Sequence, residues 1–189
     1  MGMEAPNPGM TLTSPTEPGD RLTAFGNQLI EVHIGLRRRL RRLREEADSY
    51  LDGRGNRPRD LRKQLQEHCL AFCSALDRHH TGEDGGVFPA LAARFPELRD
   101  TLDRLSHDHQ MVAGILVRLE SLVGGISDDP GPDEARRVRG EMDGLSAIMD
   151  SHFGYEERTL ARVLNSLSES GHDPPFSGAG VEAVFRLPG

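Results

Sequence analysis

The sequence predicts an all-α protein, folded as an antiparallel up-down four-helix bundle with a flexible tail at each end. Three observations carry that expectation. Aromatic residues are scarce, with 7 Phe, 2 Tyr and no Trp in 189 residues, while Leu, Arg, Glu, Asp and Ala are common, a mix that suits packed helices better than sheets. Four segments place apolar residues at helical spacing. The links between them are short, which favours consecutive helices lying antiparallel and side by side.

Residues 1–19, rich in Pro, Thr, Ser and Gly, lack apolar periodicity and read as a flexible N-terminal arm. The first helix is expected from about Asp20, a fitting N-cap, to Ala47, with Leu22, Phe25, Leu29, His33, Leu36, Leu40 and Leu43 near one face. The stretch "DSYLDGRGNRP" breaks the pattern, and Pro58 suits the opening of a second helix running to Leu91. That helix carries Leu61, Leu65, His68, Phe72, Leu76, His79, Glu83 and Val87, while Gly82, Gly85 and Gly86 weaken its far end. Pro96 opens the third helix, which reads through Leu98, Leu102, Leu105, His109, Val112, Leu116 and Leu119 until Gly124 and Gly125. After the loop "ISDDPGP", the fourth helix uses Val138, Met142, Leu145, Met149, His152, Glu156, Leu160, Val163 and Leu164. The bundle therefore spans 20–167. Residues 168–189 form a Gly- and Pro-rich C-terminal tail whose Val181, Val184, Phe185 and Leu187 can pack back onto the body.

A net charge of −7 argues against general affinity for nucleic acid or an anionic membrane, both of which require a basic excess. The local exception is "LRRRLRRLREE" at 36–46, which reads as a solvated face beside a leucine stripe, with docking of an acidic partner as the alternative. No signal-peptide pattern and no membrane-span-length apolar window is present, so a cytoplasmic location is expected. Cys69 and Cys73, one helical turn apart, read as small buried side chains in a reducing compartment.

A repeat is hidden in the spacing. From His79 in "HHTGEDGGVFPAL", acids stand at +4 (Glu83) and +5 (Asp84), and apolar residues at +8 (Val87) and +12 (Leu91). From His152 in "HFGYEERTLARVL", the same offsets hold Glu156, Glu157, Leu160 and Leu164. The preceding helices match as well: His33 and His109 each have Leu at −4 and apolar residues at +3, +7 and +10. The chain thus reads as two helical hairpins related by a pseudo-twofold axis.

Each histidine–glutamate pair at i, i+4 lies on one side of its helix, within an apolar stripe. Burying His33, His79, His109, His152, Glu83 and Glu156 without partners would be costly, and a dinuclear metal centre removes that cost. Imidazoles would bind terminally and carboxylates would bridge; mixed nitrogen and oxygen donors suit non-haem iron, with manganese as an alternative. His80 is offset by about 100° from His79, and His107 by about 200° from His109, so both are expected to face away from the centre. His68 shares the inner face but lies roughly 16 Å along the axis, and is expected in the core or another layer. Tyr155 is expected in the core or as a hydrogen-bond donor to the ligands, and Tyr50 at the surface, with either phenol open as a further ligand. Asp84 and Glu157 are expected to face outward or to orient ligands.

Through "EVH" before "IGLRRRL", "HHTGEDGGVFPAL", "SHDHQMV" and "SHFGYEERTL", the chain resembles the hemerythrin-like, HHE cation-binding family over about 20–167. The resemblance implies a diiron site, with His33, His79, His109 and His152 as terminal ligands and Glu83 and Glu156 as bridges. The chain departs from the oxygen-carrying hemerythrins, which have a second histidine where this sequence has Ala113 and a His-x-x-x-x-Asp ending in place of His152-x-x-x-Glu156. It looks more like bacterial hemerythrin-like proteins that handle hydrogen peroxide or nitric oxide, and 22 Arg against one Lys agrees with a GC-rich bacterial genome. The expected cofactor is two iron ions, oxo- or hydroxo-bridged when oxidised. The expected function is binding of, or reaction with, a small oxidant (hydrogen peroxide, oxygen or nitric oxide), with catalase-like handling of peroxide foremost. The alternatives are an iron- or oxygen-sensing module, which could couple to a protein partner, and a diiron oxygenase acting on a small metabolite.

Overall fold

The computed structural model describes residues 25–53, 59–169 and 184–185. It is an all-α, four-helix bundle. The long helices are α1 (Phe25–Leu51), α2 (Arg59–Gly82), α4 (Arg99–Gly124) and α5 (Pro132–Glu169), with a shorter α3 (Phe88–Arg94) extending α2. The Asp20 cap and the Pro58 opening fall outside the described residues.

The expected weak end of the second helix does not break. Glu83–Val87 winds as a π-helical turn between α2 and α3, so the chain stays helical until Phe95 leaves the helical region and Pro96 starts a short 3₁₀ turn leading into α4. A π turn inserts an extra residue and rotates the side chains after it about the helix axis. Val87, at its end, and Phe88 and Leu91 of α3 are all buried.

Around the bundle, α1 packs on α2 and α5, and α4 packs on α2 and α5. The apolar stripes form two clusters. One joins Leu36, Leu43 and Ala47 of α1 to Leu65 and Phe72 of α2, Leu116 and Val123 of α4, and Val138 and Met142 of α5. The other joins Leu29 to Leu91, Leu102, Leu105, Leu160 and Leu164. The start of α1 thus lies with the end of the α2–α3 arm, the start of α4 and the end of α5, as alternating helix directions require. Val184 is fully buried in this second cluster, and Phe185 packs on Phe25 with ring centroids 5.3 Å apart, so this part of the tail folds back as expected. Val181 and Leu187 lie outside the described residues. Both cysteines are buried and free, and the Cys69 contact together with burial pushes the Cys73 thiol up, away from reactivity.

Several sequence expectations are corrected. His68 is exposed and pairs with Glu46 at 2.5 Å, because α2 turns that position toward solvent beside α1. Tyr50 is buried, with its hydroxyl donating to the Ser127 carbonyl 2.9 Å away, because α1 continues to Leu51 and packs under the α4–α5 loop. Tyr155 is exposed on α5, one step off the inner face.

At Gly26, α1 approaches the backbone of α5 closely. The Gly26 N–H, one of the unpaired donors of a first turn, donates to Asn165 Oδ1 at 2.9 Å. A Cβ at this position would lie 2.2 Å from the Ala161 carbonyl oxygen, a backbone atom that cannot swing away. Gly26→Ala is therefore expected to lower stability by about 1–3 kcal/mol despite the better helix propensity of Ala, read as a reduced urea midpoint.

Candidate metal centre

Between the two apolar clusters lies a polar layer. His33, His79, His80, Glu83, His109, His152 and Glu156 are all buried, the most exposed of them at 6%. Their donor atoms fall into two groups, each within 4.8 Å and each able to hold a metal ion: His33, His79, Glu83 and Glu156 in one, and His80, His109 and His152 in the other.

The carboxylates lie between the groups. Glu83 sets Oε1 3.3 Å from His79 Nε2 and Oε2 3.7 Å from His109 Nε2. Glu156 Oε2 is 3.5 Å from His33 Nε2 and 3.8 Å from His152 Nε2. The Nε2 atoms of His33 and His79 converge to 2.9 Å. Eight buried nitrogen and oxygen atoms of this layer have no hydrogen-bond partner among the described residues, including Nε2 of His80, His109 and His152 and both oxygens of Glu156. So many orphaned atoms in one buried layer is costly for a protein interior, and metal cations of this donor preference would satisfy one ring nitrogen of each histidine and the glutamate oxygens.

Partners from neighbouring helices aim the rings. On the α1–α5 side, His33 Nδ1 donates to Glu157 Oε1 at 3.0 Å, and Arg37 donates to the same oxygen at 2.7 Å. On the α2–α4 side, His109 Nδ1 donates to Asp84 Oδ1 at 3.0 Å, and Ser106 donates to that oxygen at 2.6 Å. A ring that donates from Nδ1 presents its Nε2 lone pair toward the layer. Glu157 and Asp84 are the two +5 acids of the repeat, and each reaches across to the other helix of its pair. This is the pseudo-twofold relation expressed in hydrogen bonds.

His80 is not turned outward, contrary to the expectation from its offset. It is buried, stacks on His109 with centroids 4.0 Å apart and planes within 5°, and lies 5.1 Å from the His152 ring. The layer is broad: α2 sits between α1 and α4, so residues about 100° apart flank its inward direction, His79 toward α1 and His80 toward α4. The symmetric position on α5 is Phe153, which stacks on His33 at 4.2 Å. A buried aromatic at the same +1 offset was the sequence signal that this position faces inward. His107 is exposed, as expected.

Residues 26–164 match the family model of the hemerythrin HHE cation binding domain. The chain belongs to that family. Neither the curated proteins nor the solved structures yield a match. In this HHE domain the two buried groups, one of histidines and one of histidines with glutamates, can hold metal cations. Among the described residues no helix is long and apolar enough to cross a membrane.

Burial favours the neutral form of every ring and carboxyl in the HHE layer. Burial pushes all five imidazoles down, His152 to about 3, and the like-charged neighbouring rings add to this at His79, His80 and His152. Burial raises Glu83 well above its ordinary range and Glu156 to about 8. Glu157 behaves oppositely: burial pushes it up, but the His33 and Arg37 hydrogen bonds outweigh that and keep it low.

These shifts set opposite pH arms for the metal-free protein. Between about 3 and 6.5 the unfolded chain binds imidazole protons that the folded chain refuses, so stability rises with pH. Between 4.5 and about 8 the folded chain keeps carboxyl protons that the unfolded chain has released, so those groups lower stability as pH rises. The imidazole shifts thus lower stability as pH falls below the ordinary histidine range, and the carboxyl shifts lower it as pH rises toward the value of Glu156. Urea denaturation across pH should show both arms, and saturating metal should remove the alkaline one by displacing the carboxyl protons.

Proposed function

We propose that this HHE domain is a non-haem diiron protein that binds and turns over a small oxidant, with hydrogen peroxide the favoured substrate. The observation that carries the reading is Glu83 with one oxygen toward His79 and the other toward His109, matched by Glu156 between His33 and His152. Two carboxylates spanning two donor groups suit two cations sharing bridges. His33 and His79 would be terminal ligands of one ion, His109 and His152 of the other, and Glu83 and Glu156 the bridges. The position of His80 beside His109 and His152 supports it as a seventh ligand, on the second ion. It comes from α2 and offers the nitrogen that Ala113 of α4 cannot.

An iron pair held by these residues would supply two-electron redox chemistry, by which one peroxide with two electrons and two protons would give two waters and a second peroxide would return the two electrons and two protons as dioxygen forms. The chain's own groups do the rest. Glu157 and Asp84 hold the His33 and His109 rings in the metal-binding tautomer. Phe153 and Phe88, stacked on those rings, exclude water from the layer's sides. A cavity of about 140 Å³ beside His80 and His109 favours a small oxidant over an organic metabolite, since it is well below the roughly 300 Å³ where pockets for larger ligands begin.

Purified protein loaded with iron under anaerobic conditions is expected to hold two irons per chain and to evolve oxygen from peroxide. Two irons without peroxide loss would move the reading to binding or sensing, and no iron uptake would overturn it. His80→Ala is expected to lower iron content by weakening one ion's site, by about 10-fold or more in affinity, whereas His107→Ala leaves it unchanged, measured by metal analysis after competition with a chelator.

A further inference from the structure

The pseudo-twofold axis is broken at one place that bears on how anything reaches the polar layer. Four residues after His33, on the same face of α1, stands Arg37. Its guanidinium lies 5.1 Å from the centre of the Phe153 ring and is tied to Glu157 and, at 3.2 Å, to Asp150. Arg37, Phe153 and Glu157 together close the α1–α5 side over His33. Four residues after His109, on the equivalent face of α4, stands Ala113. Nothing of comparable length covers His109 from that position. Beside it lies a cavity of about 140 Å³, whose lining includes Asp77, His80, Asp84, His109, Gln110 and Ala113.

Resting on the reading of this layer as a metal centre, we propose that the notch at Ala113 is the port by which small exogenous ligands reach it, and that it selects uncharged ones. Two walls of the notch are the His80 and His109 rings, whose Nε2 atoms are buried and unpartnered among the described residues. The notch and the layer thus share the His80 and His109 side chains. The volume of about 140 Å³ admits molecules of two or three non-hydrogen atoms with attendant water. Asp77 and Asp84 at the walls, on a chain of net charge −7, disfavour anions and leave neutral oxidants such as hydrogen peroxide, dioxygen or nitric oxide. The asymmetry gives a reason for His80: an alanine at 113 opens the wall, and a histidine from α2 keeps the second donor group complete behind the opening.

The test is ligand association followed optically in iron-loaded protein, with nitric oxide as the neutral probe on the reduced form and azide as the anionic probe on the oxidised form. Ala113→Ser, Ala113→Leu and Ala113→Phe add bulk at an exposed helical position, with iron content and resting spectrum checked for each variant. Association of both probes is expected to slow with size, by about tenfold or more for Phe. Asp77→Asn is expected to speed azide by about twofold at low ionic strength and to leave nitric oxide unchanged. Should Phe destabilise the bundle, the Ser and Leu variants still give the graded comparison. Unchanged association of both probes across the series, with iron intact, overturns the port while the metal centre stands; equal acceleration of both probes by Asp77→Asn overturns the charge selection. Failure of the parent protein to take up iron overturns both readings together.

Discussion

Two glutamates buried among five imidazoles are the constraint around which this bundle is built. Side chains of that kind cannot be left in an apolar core as independent charges, and burial drives the imidazoles toward their neutral form and the carboxyls toward theirs. The apolar clusters above and below the layer keep water out and so sharpen that demand. The Glu157–His33 and Asp84–His109 hydrogen bonds serve the layer and also tie α5 to α1 and α4 to α2. Helix packing and donor geometry are therefore one arrangement: moving a helix along its axis would misplace both.

The two halves of the bundle solve the same problem with different residues. At the position after the repeated histidine, one half has Phe153 stacked on His33 and the other has His80 stacked on His109. Four residues beyond the paired histidine, one half has Arg37 and the other Ala113. These differences turn a symmetric cage into one with a sealed side, braced by a cation over an aromatic ring, and a side with an additional donor and a cavity.

The four helices and the main inward positions were legible because each segment repeats Leu, Val or His at helical spacing over several turns. The paired offsets from His79 and His152 were legible for the same reason. Legibility failed wherever a side chain's environment depended on the direction of a neighbouring helix. His68 fits the same stripe as His79, yet α2 exposes it to pair with Glu46. Tyr50 lies in a stretch rich in Gly and Asp, yet α1 extends through it and buries the ring. The π turn at Glu83–Val87 had only its glycines as a signal, and these equally suggest a break.

By itself the sequence determined the helices, their inner faces and a repeated set of histidines and glutamates whose burial calls for a cation, since backbone periodicity fixes the angle between any two residues of one helix. Only the tertiary structure decided which way each helix points that face. With α2 set between α1 and α4, the layer subtends a wide angle and both His79 and His80 enter it. The same placement decided that Arg37 closes one side and Ala113 leaves the other with a cavity, because the angle between residues is local and the direction to a neighbouring helix is not.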